Sequence, residues 1–209
     1  MRFWHWLERI RACFFGKTIT GAAGVSMRIA IFGWGSLIWD PRELPREGVW
    51  QEGGPVLSVE FSRISSDGRL TLVIDAENGA PAPTRFVQSP RVDLDDAISD
   101  LKLREGTSTR HIGYLNLRHG KQACRIQEVA AAVRDWANAN GFDAVVWTDL
   151  GPNYQEERGI PFSVEAAEAY LRGLPKTLAN RARKYIQNAP AEVNTPLRQR
   201  LRESGWLEN

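Results

Sequence analysis

The sequence predicts an α+β fold: a small mixed, largely antiparallel β-barrel with surrounding helices. Two observations carry this expectation. Strand patterns come early and in pairs, whereas helix patterns come late, an order that favours an antiparallel sheet with helices set against it. The 209 residues, 43% apolar and 25% charged, suit one domain with an appendage, since a domain takes ~100–200 residues.

The elements follow in order. Met27 opens a buried strand over Arg28–Phe32, ended by Gly33. Residues 1–26 read as an N-terminal extension, possible as a short amphipathic helix because Phe3, Trp4, Leu7, Ile10 and Phe14 recur at helical spacing. The working domain is then 27–209. Pro41, Pro45, Gly48, Gly53, Gly54 and Pro55 make 40–55 an irregular loop. Leu57, Val59 and Phe61 alternate with Ser58, Glu60 and Ser62, the pattern of a half-buried strand over Val56–Ile64. Asp67-Gly68 turns the chain into a partner strand, Leu70–Ile74. Pro83–Gln88 reads as one further short strand. Asp93 caps a helix with an apolar stripe of Leu94, Ala97, Ile98 and Leu101, ending near Gly106. A strand over His111–Leu117, a helix over Ile126–Asn140 stopped by Gly141, and a buried strand over Ala144–Thr148 come next. Ser163, Pro175 and Thr195-Pro196 open the later helices, the last pair by cap chemistry with Pro at the first helical position.

Composition excludes wholesale disorder, collagen-like repeats and a membrane bundle. No stretch approaches the ~18 uncharged apolar residues of a spanning helix. Glu8, Arg9 and Arg11 interrupt the apolar run a signal peptide needs. Cys13 and Cys124 give neither a disulfide framework nor a paired zinc motif, so a cytoplasmic location is the simplest expectation. The formal net charge of +2 argues against a polyanion as the main partner, and no nucleic acid is expected. Cations nevertheless gather at both ends. The runs Arg181-Ala182-Arg183-Lys184 and Arg198-Gln199-Arg200-Leu201-Arg202 are solvated helix faces or, alternatively, a partner surface that tracks phosphates.

Several chemistries lack their residues. Gly33-Trp34-Gly35-Ser36-Leu37-Ile38 begins like a dinucleotide loop, but its sixth position is Ile38 and Pro41 interrupts any immediate long helix. Trp34 also removes the nucleophile elbow of serine hydrolases. His111 and His119 lie eight apart, which is no metal-ligand spacing, and Cys124 has no evident base. No metal and no cofactor are expected.

Two features remain. The Gly33–Leu37 turn can aim successive backbone N–H groups at one anion or oxyanion, although a tight turn without a ligand has the same pattern. Leu103-Arg104-Glu105-Gly106 sets a carboxylate at the C-terminal end of a helix, where the dipole would favour a general base. The plainer alternative for Glu105 is a surface residue paired with Arg104 or Lys102.

The run Ile31-Phe32-Gly33-Trp34-Gly35-Ser36-Leu37-Ile38-Trp39-Asp40-Pro41 resembles the opening motif of the gamma-glutamylcyclotransferase-like superfamily, and most of all its glutathione-degrading branch. There a strand runs into a Tyr-Gly-Ser-Leu turn continued by Ile-Trp and Pro; Trp34 stands at the Tyr position. Leu103-Arg104-Glu105-Gly106 is similar to the helix end that supplies the essential glutamate. Gly113-Tyr114 stands for a later Gly-x-Tyr, after Thr107 to His111 intervene. Gly151-Pro152-Asn153-Tyr154 and Tyr170-Leu171 resemble late stretches of the same branch. The likeness covers about residues 28–175.

It implies cofactor-free cyclisation of a gamma-glutamyl amine or peptide to 5-oxoproline, with release of an amine or amino acid. Glu105 would be the catalytic base, and Gly33, Trp34, Gly35, Ser36, Leu37 and Tyr114 the substrate-binding residues. The alternative is a non-catalytic protein on the same fold that binds a small ligand or a partner.

Overall fold

The computed structural model describes residues 26–208. The amphipathic helix considered for the N-terminal extension falls outside the described residues. Strand β1 (Ile29–Gly33) is buried along its whole length. Its alternate side chains enter two separate cores: Ile29 and Ile31 join one, Ala30 and Phe32 the other. A strand buried on both faces belongs at the centre of a covered sheet, and β1 sits there.

The described residues form two sheets. The larger has six strands: β2 (Glu47–Gln51), β6 (Arg85–Gln88), β1, β9 (Ala144–Thr148), β7 (Ile112–Asn116) and β8 (Lys121–Ala123), in that spatial order. The smaller sets β3 (Val56–Ile64) between β4 (Leu70–Ile74) and β5 (Ala80–Pro83). Pairing is antiparallel except between β1 and β9, which run parallel. The fold is thus α+β with largely antiparallel sheets.

The expected barrel is corrected, because neither sheet closes on itself. The reason lies at Thr84. The segment read as one strand over 83–88 is two strands in two sheets, with β5 pairing β3 and β6 pairing β1. Pro83 has no N–H to continue a ladder. Thr84 turns aside instead, its N–H and Oγ1 both donating to the Pro55 carbonyl, at 3.2 and 2.8 Å.

Helix α1 (Leu94–Glu105) covers one face of the large sheet. The Asp93 side chain accepts from the N–H groups of Asp95 and Asp96, and Gly106 ends the helix at φ 62°. Such a cap contributes about 1 kcal/mol. Leu94, Ala97, Ile98 and Leu101 pack on Ile29, Ile31, Ile112 and Val146. Each fully buried Leu or Ile contributes roughly 1.5–3 kcal/mol. The opposite face carries α2 (Gln127–Asn140), with Val129, Val133 and Ala137 in the second core. That core also holds Leu57, Val59 and Phe61 of β3 and Leu70, Leu72 and Ile74 of β4. Around the small sheet lie α3 (Tyr154–Arg158), α4 (Val164–Arg172), α5 (Lys176–Asn188) and α6 (Pro196–Glu203).

Three further expectations change. The 40–55 loop contains the exposed edge strand β2. The short β8 and α3 also form, in segments to which the sequence pattern assigns no element. In β3 both Glu60 and Ser62 are fully buried, because α6 and α3 pack on this strand and cover the face that alternation assigned to water. Among the described residues no helix is long and apolar enough to cross a membrane.

Candidate active site

The C-terminal ends of the parallel strands β1 and β9 open into a cleft of about 570 Å³. Ligands favour such strand ends, where the backbone leaves the sheet and loops can be shaped around them. The turn after β1 supplies Trp34, Gly35, Ser36 and Leu37. The end of α1 supplies Arg104 and Glu105, the end of β9 supplies Thr148, and the β3–β4 hairpin and α5 form the remaining wall. Glu105 and the glycine turn, 68 residues apart in sequence, therefore meet.

The turn is tied by two bonds, from Ile38 N–H to the Gly35 carbonyl at 3.0 Å and from Asp40 N–H to the Ser36 carbonyl at 2.8 Å. The N–H groups of Gly35, Ser36 and Leu37 find no acceptor among the described residues. This is the state required of an anion-binding nest. Above Gly35 stands the Tyr185 hydroxyl, 3.5 Å from where a Cβ would be. Burial raises the pKa of Tyr185, and the nearby Glu105 charge acts in the same direction. The phenol therefore stays a proton-bearing donor.

The Glu105 carboxylate is 15% exposed and paired with Arg104, whose side chain is 4% exposed. The pairing is the one expected of a surface helix end, but it lies in the cleft wall. Glu105 Oε1 accepts from Arg104 Nη1 at 2.8 Å and from Thr148 Oγ1 at 3.0 Å. Both bonds fall on one oxygen, which leaves Oε2 to accept a proton. Arg104 Nη2 donates to Ser36 Oγ at 3.2 Å and to the Asp40 carbonyl at 2.6 Å. One guanidinium thus joins the carboxylate to the turn.

Next to Glu105, Thr107 Oγ1 lies 2.8 Å from His111 Nδ1. Arg110 Nε donates to His111 Nε2 at 3.2 Å, and an arginine N–H cannot accept. The network therefore places the imidazole proton on Nδ1, with Thr107 Oγ1 as its acceptor. The Thr107 hydroxyl proton is left to donate elsewhere. Partial burial and the charges of Arg110 and Arg63 lower the pKa of His111, in keeping with a neutral ring.

Two of the expected substrate-binding residues lie outside the cleft. Gly33 ends β1, with the Trp50 ring 3.0 Å from its would-be Cβ. Tyr114 points from β7 toward the α1 side of the sheet and packs on that core. Trp39 does not line the cleft either, although it packs edge-on against Tyr185 with ring centroids 5.4 Å apart. Thr148, Tyr185, Thr107 and the hairpin arginines carry no local motif. The one available signal is the position of Thr148 at the end of a buried strand.

The basic C-terminal runs are largely engaged within the molecule. Arg198 is buried and donates to the carbonyls of Val193 and Ala189. Arg200 pairs with Glu168, and Arg181 with Asp67. Cys124 donates to the Ile126 carbonyl, and burial pushes its thiol pKa up. Among the described residues no group of three His, Cys, Asp or Glu side chains could hold a metal ion. Comparison with protein-family models, with curated proteins and with solved structures finds no match to this chain.

Proposed function

We propose that the protein is a gamma-glutamylcyclotransferase-type enzyme, of the gamma-glutamylcyclotransferase-like fold, that cyclises a gamma-glutamyl compound to 5-oxoproline. The observation that carries this reading is the bridge by Arg104, which bonds both Glu105 and Ser36 and so sets a base beside a row of unpaired N–H groups.

The reaction needs only what this cleft holds. The substrate's α-nitrogen attacks its own side-chain carbonyl carbon, a C–N bond forms, and the bond to the leaving nitrogen breaks. Two protons leave the α-ammonium and two arrive on the leaving nitrogen, so a single carboxylate can carry both and end as it began. Glu105 Oε2 takes that role while Oε1 stays anchored. The N–H groups of Gly35, Ser36 and Leu37 face the developing oxyanion or the α-carboxylate. A donor of this kind is worth ~3–4 kcal/mol in other acyl-transfer enzymes. Binding the chain bent toward its ring-closed form supplies further rate.

The test is 5-oxoproline release from a panel of gamma-glutamyl compounds by the purified protein and by Glu105→Gln. Turnover is expected in the first and loss of at least ~100-fold in the second, with an unchanged fold by circular dichroism. Equal turnover in both would remove Glu105 from the chemistry. Absence of turnover across the panel would leave the cleft to a binding protein.

A further inference from the structure

Thr107 lines the cleft two residues beyond Glu105, and the end of α1 fixes them both. The Gly106 N–H donates to the Leu103 carbonyl and the Thr107 N–H to the Lys102 carbonyl, each at 3.2 Å. This is the paired bonding of a Schellman motif, which gives the backbone of residues 105–107 one geometry. His111 is tied as well. Its N–H donates to the Ser108 carbonyl at 3.0 Å, and its carbonyl accepts from the Asp149 N–H at 2.8 Å. On the ring, Nδ1 lies 2.8 Å from Thr107 Oγ1 and 3.5 Å from Ser108 Oγ, and Nε2 accepts from Arg110 Nε at 3.2 Å. Burial and the charges of Arg110 and of Arg63 on β3 keep the ring neutral against the Asp149 charge after β9. The stretch Thr107 to His111 is also where this chain departs from the motif it resembles.

A hydroxyl has one hydrogen and two lone pairs. One lone pair of Thr107 takes the Nδ1–H of His111, so the hydroxyl hydrogen cannot turn back to the ring. Among the described residues Thr107 Oγ1 has no second partner, and its hydrogen is left to the cleft. Resting on the cyclotransferase reading, we propose that Thr107 is a catalytic residue whose hydroxyl donates to an oxygen of the bound gamma-glutamyl group, carbonyl or carboxylate. His111 is the positioning residue that sets the direction of this donation. A free hydroxyl rotor must be ordered when substrate arrives, at a cost to the bond it makes; His111 orders it beforehand. No proton leaves Thr107: its bond shortens and strengthens as charge gathers on the acceptor.

The experiment measures kcat and KM for 5-oxoproline release from whichever gamma-glutamyl compound of the panel the parent protein turns over fastest. Thr107→Val, which keeps the shape and removes the hydroxyl, is expected to lower kcat/KM by ~10–100-fold, the range of one bond to a charged acceptor. Thr107→Ser should keep most of the activity. A fall in kcat assigns the donation to the reacting carbonyl, and a rise in KM to the α-carboxylate. His111→Phe should cost ~3–10-fold, and His111→Asn, which returns an N–H donor near the place of Nδ1, should recover most of that. The double variant Thr107→Val/His111→Phe should be no worse than Thr107→Val, because His111 acts through the hydroxyl; additive losses would overturn its positioning role. A ¹⁵N–¹H spectrum of the ring should place the proton on Nδ1, and a proton on Nε2 would overturn that role too. Unchanged kcat/KM in Thr107→Val overturns the donor and leaves the cyclotransferase reading standing. Absence of turnover in the parent removes that reading and the donor with it. Should His111→Phe fail to fold, His111→Asn and the ring spectrum decide.

Discussion

A buried guanidinium needs acceptors for its N–H groups, and Nη1 and Nη2 of Arg104 find theirs in Glu105, Ser36 and the Asp40 carbonyl, while Nε has none among the described residues. Removing water from this group is costly unless such partners are fixed. The arrangement therefore holds the turn and the carboxylate in one register. Lysine keeps the charge but is a point donor that cannot span both. Arg104→Lys is expected to lower kcat/KM for 5-oxoproline release by ~10–100-fold, since misplacement by about 1 Å costs that much. Circular dichroism should read an unchanged fold. Unchanged kinetics would mean that Glu105 is oriented by Thr148 alone. Glu105 and the turn were legible in sequence because each is a local pattern, a helix end and a glycine run. Thr148, Tyr185 and Arg63 were not, because each reaches the cleft through pairing with residues far along the chain, which no spacing encodes.

Among the elements, α1 was readable in its Asp93 cap, its apolar stripe and an end near Gly106, because all three are local chemistry. The short strands β2 and β8 were hidden for the opposite reason. They are exposed edges without alternation, and they exist through pairing with β6 and β7. Packing between β7 and β9 is equally non-local. Gly113 lies opposite Trp147, and a Cβ there would sit 2.2–2.7 Å from three atoms of the indole. Trp147 is fully buried, so the ring has no free direction in which to retreat. Gly113→Ala is expected to destabilise the protein by about 1–3 kcal/mol, the usual cost of overpacking a core. Denaturant midpoints measure this. Adding Trp147→Leu should recover part of the loss, because it removes the atoms the methyl meets; strict additivity of the two losses would place the cause elsewhere. Thr148 adjoins Trp147, so turnover should fall in the single variant as well.

At the scale of the whole molecule, two carboxylates hold α6 with opposite pH dependence. Glu60, fully buried on β3, accepts from the Phe61 N–H at 2.7 Å and from the Leu197 N–H at 3.1 Å. Burial outweighs these bonds and raises its pKa from the ordinary 4.5 to about 7. Between those values the unfolded chain has released this proton and the folded chain still holds it. Stability from this group is therefore complete below about pH 4.5 and lost as pH rises to about 7, by about 3 kcal/mol in all. Glu168 on α4 is the reverse case. Bonds from Arg200 and Arg172 lower its pKa to about 2. Its contribution is present above about pH 4.5 and lost as pH falls through about 2. Asp67, Asp143 and Glu192, all lowered, add to that acid limb. Stability is expected to peak near pH 4.5–5 and to decline on both sides. Urea midpoints at pH 3, 4.5 and 7.5 measure both limbs. Glu60→Gln should flatten the decline between pH 4.5 and 7.5 and leave the acid limb as it was, whereas Glu168→Gln should make the acid limb shallower and spare the other. A Glu60→Gln protein that still loses stability above pH 4.5 as the parent does would show that α6 is not held by this carboxyl.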